Sequence, residues 1–220
     1  MLLESYCRKH KIREKTSIDL YAAEPGPMGV AGPEVSMAVR AMVEANGLTY
    51  HPEHQVKEVD PNARLLRFTN GAEAQFDLLA YVPPHRPPAV VRDTGLAEQA
   101  GWVTVNRETM ETRFDRVYAL GDVVGIPLKL GKPLPKAGVF AQAEAEVVAQ
   151  RITHAITGSG KLPTFDGHGA CFIETGDGKA GYGAGNFYAE PVPQMTMHPP
   201  ARRWHAGKVL FEKLWLSKWF

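Results

Sequence analysis

Cysteine is nearly missing, with two in 220 residues and no Cys-x-x-Cys pair. That excludes a disulfide-stapled secreted scaffold and a cysteine-ligated zinc module, and it makes a reducing compartment the default. Long apolar runs are missing too: nothing approaches the roughly 20 residues that span a bilayer. Residues 1–15 mix Glu4, Arg8, Lys9, His10 and Lys11 with brief apolar stretches, unlike a secretory leader, so a start in the cytosol is expected. Charge of one sign is absent, because 25 basic and 24 acidic side chains leave a formal charge of +1 and no whole-molecule field to draw in nucleic acid. No internal repeat is visible. What remains, 44% hydrophobic and 22% charged, is the make-up of a soluble globular protein of one or two domains.

Leu2, Leu3, Tyr6 and Cys7 stand at helical spacing and read as the last turns of a helix. Residues 17–22 alternate as a short strand, residues 24–32 form a Gly/Pro loop, and Pro33 opens a helix with Val35, Val39 and Met42 on one face, stopped by Asn46-Gly47. Strands are expected at residues 48–51, 55–59, 64–68 and 72–76, with Asn70-Gly71 as a type I′ hairpin signal. The result is a β-α-β unit with an appended β-meander. An apolar run at residues 78–82 ends in Pro83-Pro84-His85-Arg86-Pro87-Pro88, a cluster that no strand or helix accommodates, and marks a crossover. Beyond it come a short strand at residues 102–105, a buried-type strand at 117–120, and a helix over 136–157 carrying Phe140, Val148 and Ile152, closed by residues 158–160. Residues 161–220 are Gly-rich and aromatic, then Pro-rich, and end in the Trp/Lys stretch 204–220. Three blocks follow: 1–90, a partial nucleotide-domain-like unit; 91–160, a returning nucleotide-domain portion; and 161–220, a carboxyl-terminal segment.

The sharpest local signal is Thr112-Arg113-Phe114-Asp115-Arg116-Val117-Tyr118-Ala119-Leu120-Gly121-Asp122, an apolar strand ending in Gly-Asp, where ligands sit in a doubly wound sheet. Glycine admits a ligand to the backbone and the carboxylate accepts from sugar hydroxyls; Gly-Asp also suits an ordinary turn. The whole pattern resembles the second flavin fingerprint of the pyridine nucleotide-disulfide oxidoreductase superfamily, T-x-x-x-x-V-Y-A-x-G-D. Lys11-Ile12-Arg13-Glu14-Lys15, Val30-Ala31-Gly32-Pro33-Glu34, the Val82 to Pro88 run, Pro135-Lys136-Ala137-Gly138 and Gly169-Ala170-Cys171-Phe172-Ile173-Glu174 resemble its sulfide:quinone oxidoreductase branch. The likeness covers the carboxyl-terminal half of that family and omits its amino-terminal G-x-G-x-x-G. Gly176-Asp177-Gly178-Lys179-Ala180-Gly181 fits that pattern, but β-hairpin residues follow it, so a hairpin turn is expected rather than a dinucleotide site. Gly26, Gly29 and Gly32 lie between a strand and a helix, where Pro25, Pro27 and Pro33 stiffen the loop and remove amide donors.

The resemblance implies an α/β, partial two-dinucleotide-binding-domain (Rossmann-like) flavoprotein that binds FAD and passes electrons from sulfide or another small inorganic sulfur reductant to a membrane quinone. On it, Gly121 and Asp122 hold the ribitol region, while Lys136, Ala137 and Gly138 open a helix whose positive end meets the flavin pyrimidine. Taken alone, that helix start is equally ordinary capping. Cys171 matches one of the family's redox-active cysteines; by itself, a cysteine in such a strand reads as an inert buried thiol. Phe172, Phe211 and Lys208 border the quinone. The carboxyl-terminal stretch from Pro199 has five basic residues against one acidic, and its Trp/Lys interleaving suits either an anionic membrane surface or packing on protein. The expected placement is cytoplasmic, peripheral at the inner membrane face, with a homo-oligomer or a missing amino-terminal half as partner and no metal. Two other readings share these features: a single-chain NADH:quinone dehydrogenase, against which the Val82 to Pro88 run and Cys171 argue, and a non-catalytic module or half of a split flavoprotein.

Overall fold

A computed structural model describes residues 1–97 and 101–220. The chain passes between two units: one comprises Met1–Val82, Phe172–Gly183 and Thr196–Phe220, and the other Pro83–Cys171 and Ala184–Met195. The first passage falls at the start of the proline cluster, whose residues cannot complete a ladder or a helix.

In the first unit, α1 (Leu2–Lys9) precedes β1 (Asp19–Tyr21), α2 (Pro33–Ala45) and β2 (Thr49–His51). The two strands are parallel, with Asp19 opposite Thr49 and Tyr21 opposite His51. Proline at the first position of α2 loses an amide that no helix start uses, and the chain leaves α2 through Gly47 at φ 73°. Val35, Val39 and Val43, four residues apart, form its buried face, and Val43 packs with Leu48 and Tyr50. The β-α-β unit is therefore present.

The meander follows as β3 (Val56–Asp60), β4 (Leu65–Phe68) and β5 (Glu73–Gln75), antiparallel in that order. Its second turn differs from the type I′ expectation. Gly71 has φ 86° but Asn70 is not left-handed, and the Gly71 N–H donates to the Phe68 carbonyl at 3.1 Å. That is a three-residue loop ending in a left-handed glycine, because a type I′ turn needs positive φ at both central residues.

The second unit holds a short helix, α3 (Ala89–Arg92), and the long α4 (Gly138–Thr157). Phe140, Val147 and Val148 of α4 are buried, whereas Ile152 is 40% exposed and lies off the core face assigned to it from sequence. Phe140 meets Phe187 and Phe165 edge-on, at ring distances of 5.1 and 6.1 Å. The strands expected at 102–105 and 117–120 are reduced to isolated bridges, Val103 with Ala97 and with Val124, and Glu111 with Tyr118. A ladder needs a neighbour alongside for several residues, and here residues 110–112 meet 117–119 only briefly, through Thr112 N–H to Val117 O and Ala119 N–H to Met110 O. Val117 is 36% exposed in consequence, rather than buried.

Both units draw on a three-stranded sheet of β6 (His168–Gly176), β7 (Lys179–Asn186) and β8 (Gln194–Ala201), after which α5 (Arg202–Trp219) ends the chain. Between β6 and β7, Asp177 and Gly178 have φ of 54° and 65°, a two-residue loop with both central residues left-handed. The G-x-G-x-x-G match is thus a hairpin turn, with no helix after it to receive a diphosphate.

Candidate functional site

The Gly121–Val123 turn carries the end of the fingerprint. Gly121 has φ 71°, a conformation costly for residues with a Cβ, and an added Cβ would stand 3.3 Å from that of Ala141 on α4. Its N–H donates to Glu144 Oε2 at 2.7 Å. Glu144 is 1% exposed and occupies the buried stripe of α4 between Phe140 and Val147. Burial pushes its carboxyl above the usual carboxylate range, opposed by the Gly121 N–H and by the Lys136 charge. Asp122 itself is exposed.

Lys136 lies just before α4 and closes the turn from the other side. Its Nζ donates to the carbonyls of Asp122 and Val124, both at 2.7 Å, and stands 3.7 Å from the centre of the Trp102 ring. Burial lowers its pKa, with Asp122 and Glu144 pulling the other way. The structure therefore places this ammonium on the backbone of the turn, with two of its three donors in use.

At the start of α4, Ala137 is extended and supplies the carbonyl that receives the Phe140 and Ala141 amides. The Gly138 and Val139 amides donate to no described residue, and nothing lies within 4 Å of an added Cβ at Gly138. Gly121, Lys136, Ala137, Phe140, Ala141 and Glu144 line a shallow concavity, open to solvent, with room for about one water-sized molecule. It encloses no ligand, unlike the pockets of roughly 300–1,000 Å³ that bury a drug-sized molecule. Open amides, a positive helix end and a lysine charge make it suited to the polar edge of a planar ring. Glu144 escaped the sequence reading, although an acid at i, i+4 spacing from Phe140 and in register with Val147 and Val148 is its signal.

The other candidates lie apart from this concavity in the sequence. Cys171, on β6, is exposed and free, yet nearby protein raises its thiol pKa by desolvation, which keeps it protonated at neutral pH. Cys7 is buried in α1 and also free. In the first unit, the Phe172 ring lies 5.1 Å from Tyr182, which stacks on Trp204 at 4.7 Å, with His198 5.0 Å from Trp204. Phe172 thus joins an aromatic stack that does not include Phe211, which is 56% exposed on α5. Lys208 is engaged with Glu212 at 2.7 Å. No residue of α5 is buried, and Leu210, Leu214, Leu216 and Trp219 are all exposed. Among the described residues no helix is long and apolar enough to cross a membrane. At the ends of β1 and β2, His51 Nε2 lies 2.8 Å from Asp19 Oδ1 and its ring stacks on Tyr21 at 4.3 Å, a pairing the sequence did not disclose.

Comparison with known proteins bears on this arrangement. The sequence pattern described as pyridine nucleotide-disulphide oxidoreductase matches residues 8–155. A mitochondrial sulfide:quinone oxidoreductase of Schizosaccharomyces pombe is 26% identical over 184 residues, 81% of this chain and 39% of that protein. The mitochondrial enzyme of the same name from Mus musculus is 22% identical over 198 residues, 87% and 42% of the two chains. The chain thus spans about two fifths of the length of these curated relatives. Among solved structures, the sulfide:quinone oxidoreductase of the hyperthermophilic bacterium Aquifex aeolicus superposes with a TM-score of 0.83 at 23% identity, covering 99% of this chain and 53% of that one. A ferredoxin reductase from Rhodopseudomonas palustris gives 0.58 at 18% identity over 83% and 44%. These likenesses establish an α/β, Rossmann-like flavoprotein fold.

Proposed function

The chain belongs to the pyridine nucleotide-disulphide oxidoreductase family, whose members are FAD-binding oxidoreductases, and from that footing we propose that it contributes the pyrimidine-side flavin contacts and the quinone-facing end of a sulfide:quinone-type enzyme. The observation that carries this is the Gly121–Asp122 turn held against the start of α4, with the Gly138 and Val139 amides open beside it. The donor set fits the carbonyl-bearing edge of an isoalloxazine, and so small and open a concavity suits contact with that edge rather than enclosure of a whole dinucleotide. FAD, when bound, supplies the two-electron acceptor.

The roles of the chain's own residues follow from their places. The Gly138 and Val139 amides, with Ala137 shaping the helix start, would donate to the ring edge, and the helix end would favour negative charge there. Asp122, exposed, would accept hydrogen bonds from ribitol hydroxyls. Lys136 acts through its charge and by holding the turn, since its ammonium is already on two carbonyls. Cys171 would be the chain's sulfur contact for a sulfide-type substrate, and its raised thiol pKa calls for a nearby base or cation to release the thiolate. The exposed leucines, phenylalanines and tryptophans of α5, with Lys208, Lys213 and Lys218 among them, support a helix lying at an anionic membrane surface, with Phe172 and Phe211 toward the quinone.

The test separates ring from diphosphate. Riboflavin and FAD should quench the chain's tryptophan fluorescence with similar, weak affinity, because the concavity addresses only the ring, and Gly121→Val should abolish both. No quenching by either flavin would overturn the reading. FAD binding a hundredfold more tightly than riboflavin would overturn the placement.

A further inference from the structure

We propose that Glu144 is the positioning residue of the flavin-facing turn: from inside α4 its carboxylate holds the Gly121 N–H and so fixes where Gly121 and Asp122 stand against the helix start. The geometry is specific. Glu144 is 1% exposed, and its Oε2 takes the Gly121 amide at 2.7 Å. A buried carboxylate is costly unless it is hydrogen-bonded and faces opposite charge, and here it has both a backbone donor and the ammonium of Lys136 nearby. The same lysine pins the carbonyls of Asp122 and Val124. Amide and carbonyls of one short turn are thus tied to the side chains of Lys136 and Glu144, eight residues apart around the start of one helix. Ala141, between them, leaves room for no Cβ at Gly121 without a shift.

This arrangement orients the turn before any ligand arrives. A residue with a neutral apolar side chain at 144 would leave the Gly121 N–H without its acceptor inside the fold. The charged and titratable groups that face the Glu144 carboxyl are Lys136, Asp122 and Tyr188. Any pH response at Gly121 must be apportioned among these and Glu144 itself.

Only the last arm of the test rests on the flavin reading. On the full chain without flavin, amide hydrogen exchange at Gly121 is measured by NMR in the wild type, Glu144→Gln and Glu144→Met. Glutamine keeps an acceptor and should hold exchange within about threefold of the wild type, whereas methionine should speed it at least about tenfold, the loss of one charge-assisted bond. The Gly121 amide shift is then followed with pH. It should titrate in the wild type and in Asp122→Asn, and stay flat across the carboxylate range once Glu144→Gln is added to Asp122→Asn, a signature that mere packing would not produce. Unchanged protection in Glu144→Met, or a titration surviving in the Asp122→Asn, Glu144→Gln double variant, would overturn the proposal. In the final arm, Glu144→Met should weaken riboflavin quenching at least about tenfold while Glu144→Gln leaves it nearly unchanged. If the wild type binds no riboflavin, the flavin reading falls, and the exchange and titration arms still decide the role of Glu144.

Discussion

Two glycines at the proposed site should respond to alanine with opposite signs. Gly121 has φ 71°, where an L-residue costs about 1–2 kcal/mol. Its added Cβ would meet that of Ala141 at 3.3 Å, tight enough that a neighbour must give slightly. Against this, losing glycine's freedom in the unfolded chain returns about 0.4–1 kcal/mol. The net expectation for Gly121→Ala is about 1 kcal/mol of destabilisation. Gly138 begins α4 with nothing within 4 Å of its added Cβ and no left-handed φ, so Gly138→Ala should keep the entropic gain and stabilise by about 0.4–1 kcal/mol. The gap of nearly 2 kcal/mol exceeds tenfold in the folding equilibrium. Trp102 is the single tryptophan of the second unit, since Trp204, Trp215 and Trp219 belong to the first. Urea unfolding followed by Trp102 fluorescence, in a background with the other three replaced by phenylalanine, reads that unit directly. Gly121→Asn separates conformation from bulk, because asparagine tolerates positive φ better than alanine. If Gly138→Ala destabilises as much as Gly121→Ala, the reasoning from local backbone fails. If Gly121→Asn costs more than Gly121→Ala, crowding against Ala141 outweighs the dihedral.

The remaining expectations concern charge, thiols and the carboxyl-terminal helix. Because the folded-state pKa of Glu144 is raised, its contribution is fully present below the ordinary glutamate value and is lost as pH rises through the folded value. Urea midpoints should therefore show Glu144→Gln gaining on the wild type as pH rises above the ordinary glutamate value of about 4.3. Asp19 has the opposite sign: the His51 hydrogen bond lowers its pKa, so its contribution is present above the ordinary aspartate value and lost as pH falls through the folded one. Asp19→Asn should flatten that acid limb, modestly, because the pair is about a third exposed. Native-state alkylation should label Cys171 more slowly than a free thiol at neutral pH and Cys7 only on unfolding; equal labelling would show that burial does not govern either thiol. In co-sedimentation with anionic vesicles, the full chain should bind more weakly at high salt but still exceed a version ending at Pro200, since each basic residue near such a surface contributes about 1 kcal/mol and the apolar remainder is salt-insensitive. Equal partitioning of the two would place α5 against protein.

What could be read from the sequence was whatever depends on neighbours in the chain. The Pro33 start, Val35 and Val39 of the α2 core face and the Gly158 close of α4 follow from spacing and backbone preference alone, although the third buried residue of that face is Val43 and not Met42. Asn70-Gly71 and Asp177-Gly178 show the limit, for both are turn dipeptides, yet only the second adopts the two-residue form, since loop length depends on how the flanking strands pair. Lys136 was placed at the right helix end, but its direction was not legible: the Trp102 ring and the Asp122 and Val124 carbonyls come from distant segments. Glu144 was passed over because an acid in a helix is usually solvated, and only the fold shows a donor waiting for it. Residues 117–120 carry the composition of a buried strand, but composition does not supply the neighbours that complete a ladder.

The hairpin tip at Asp177 also sets the order of events during synthesis. Ser5 donates to Asp177 Oδ1 at 3.0 Å, and Arg8 reaches Oδ2 at 2.6 Å, contacts that close 172 and 169 residues of sequence. A helix of eight residues is marginal by itself in water. At about 5–20 residues per second, roughly ten seconds or more separate the emergence of α1 from that of its anchor. Throughout that interval Glu4, Ser5 and Cys7, buried in the finished fold, are carried by a segment with no finished seat, so the protein-facing side of α1 stays open on the ribosome-bound chain until Asp177 arrives.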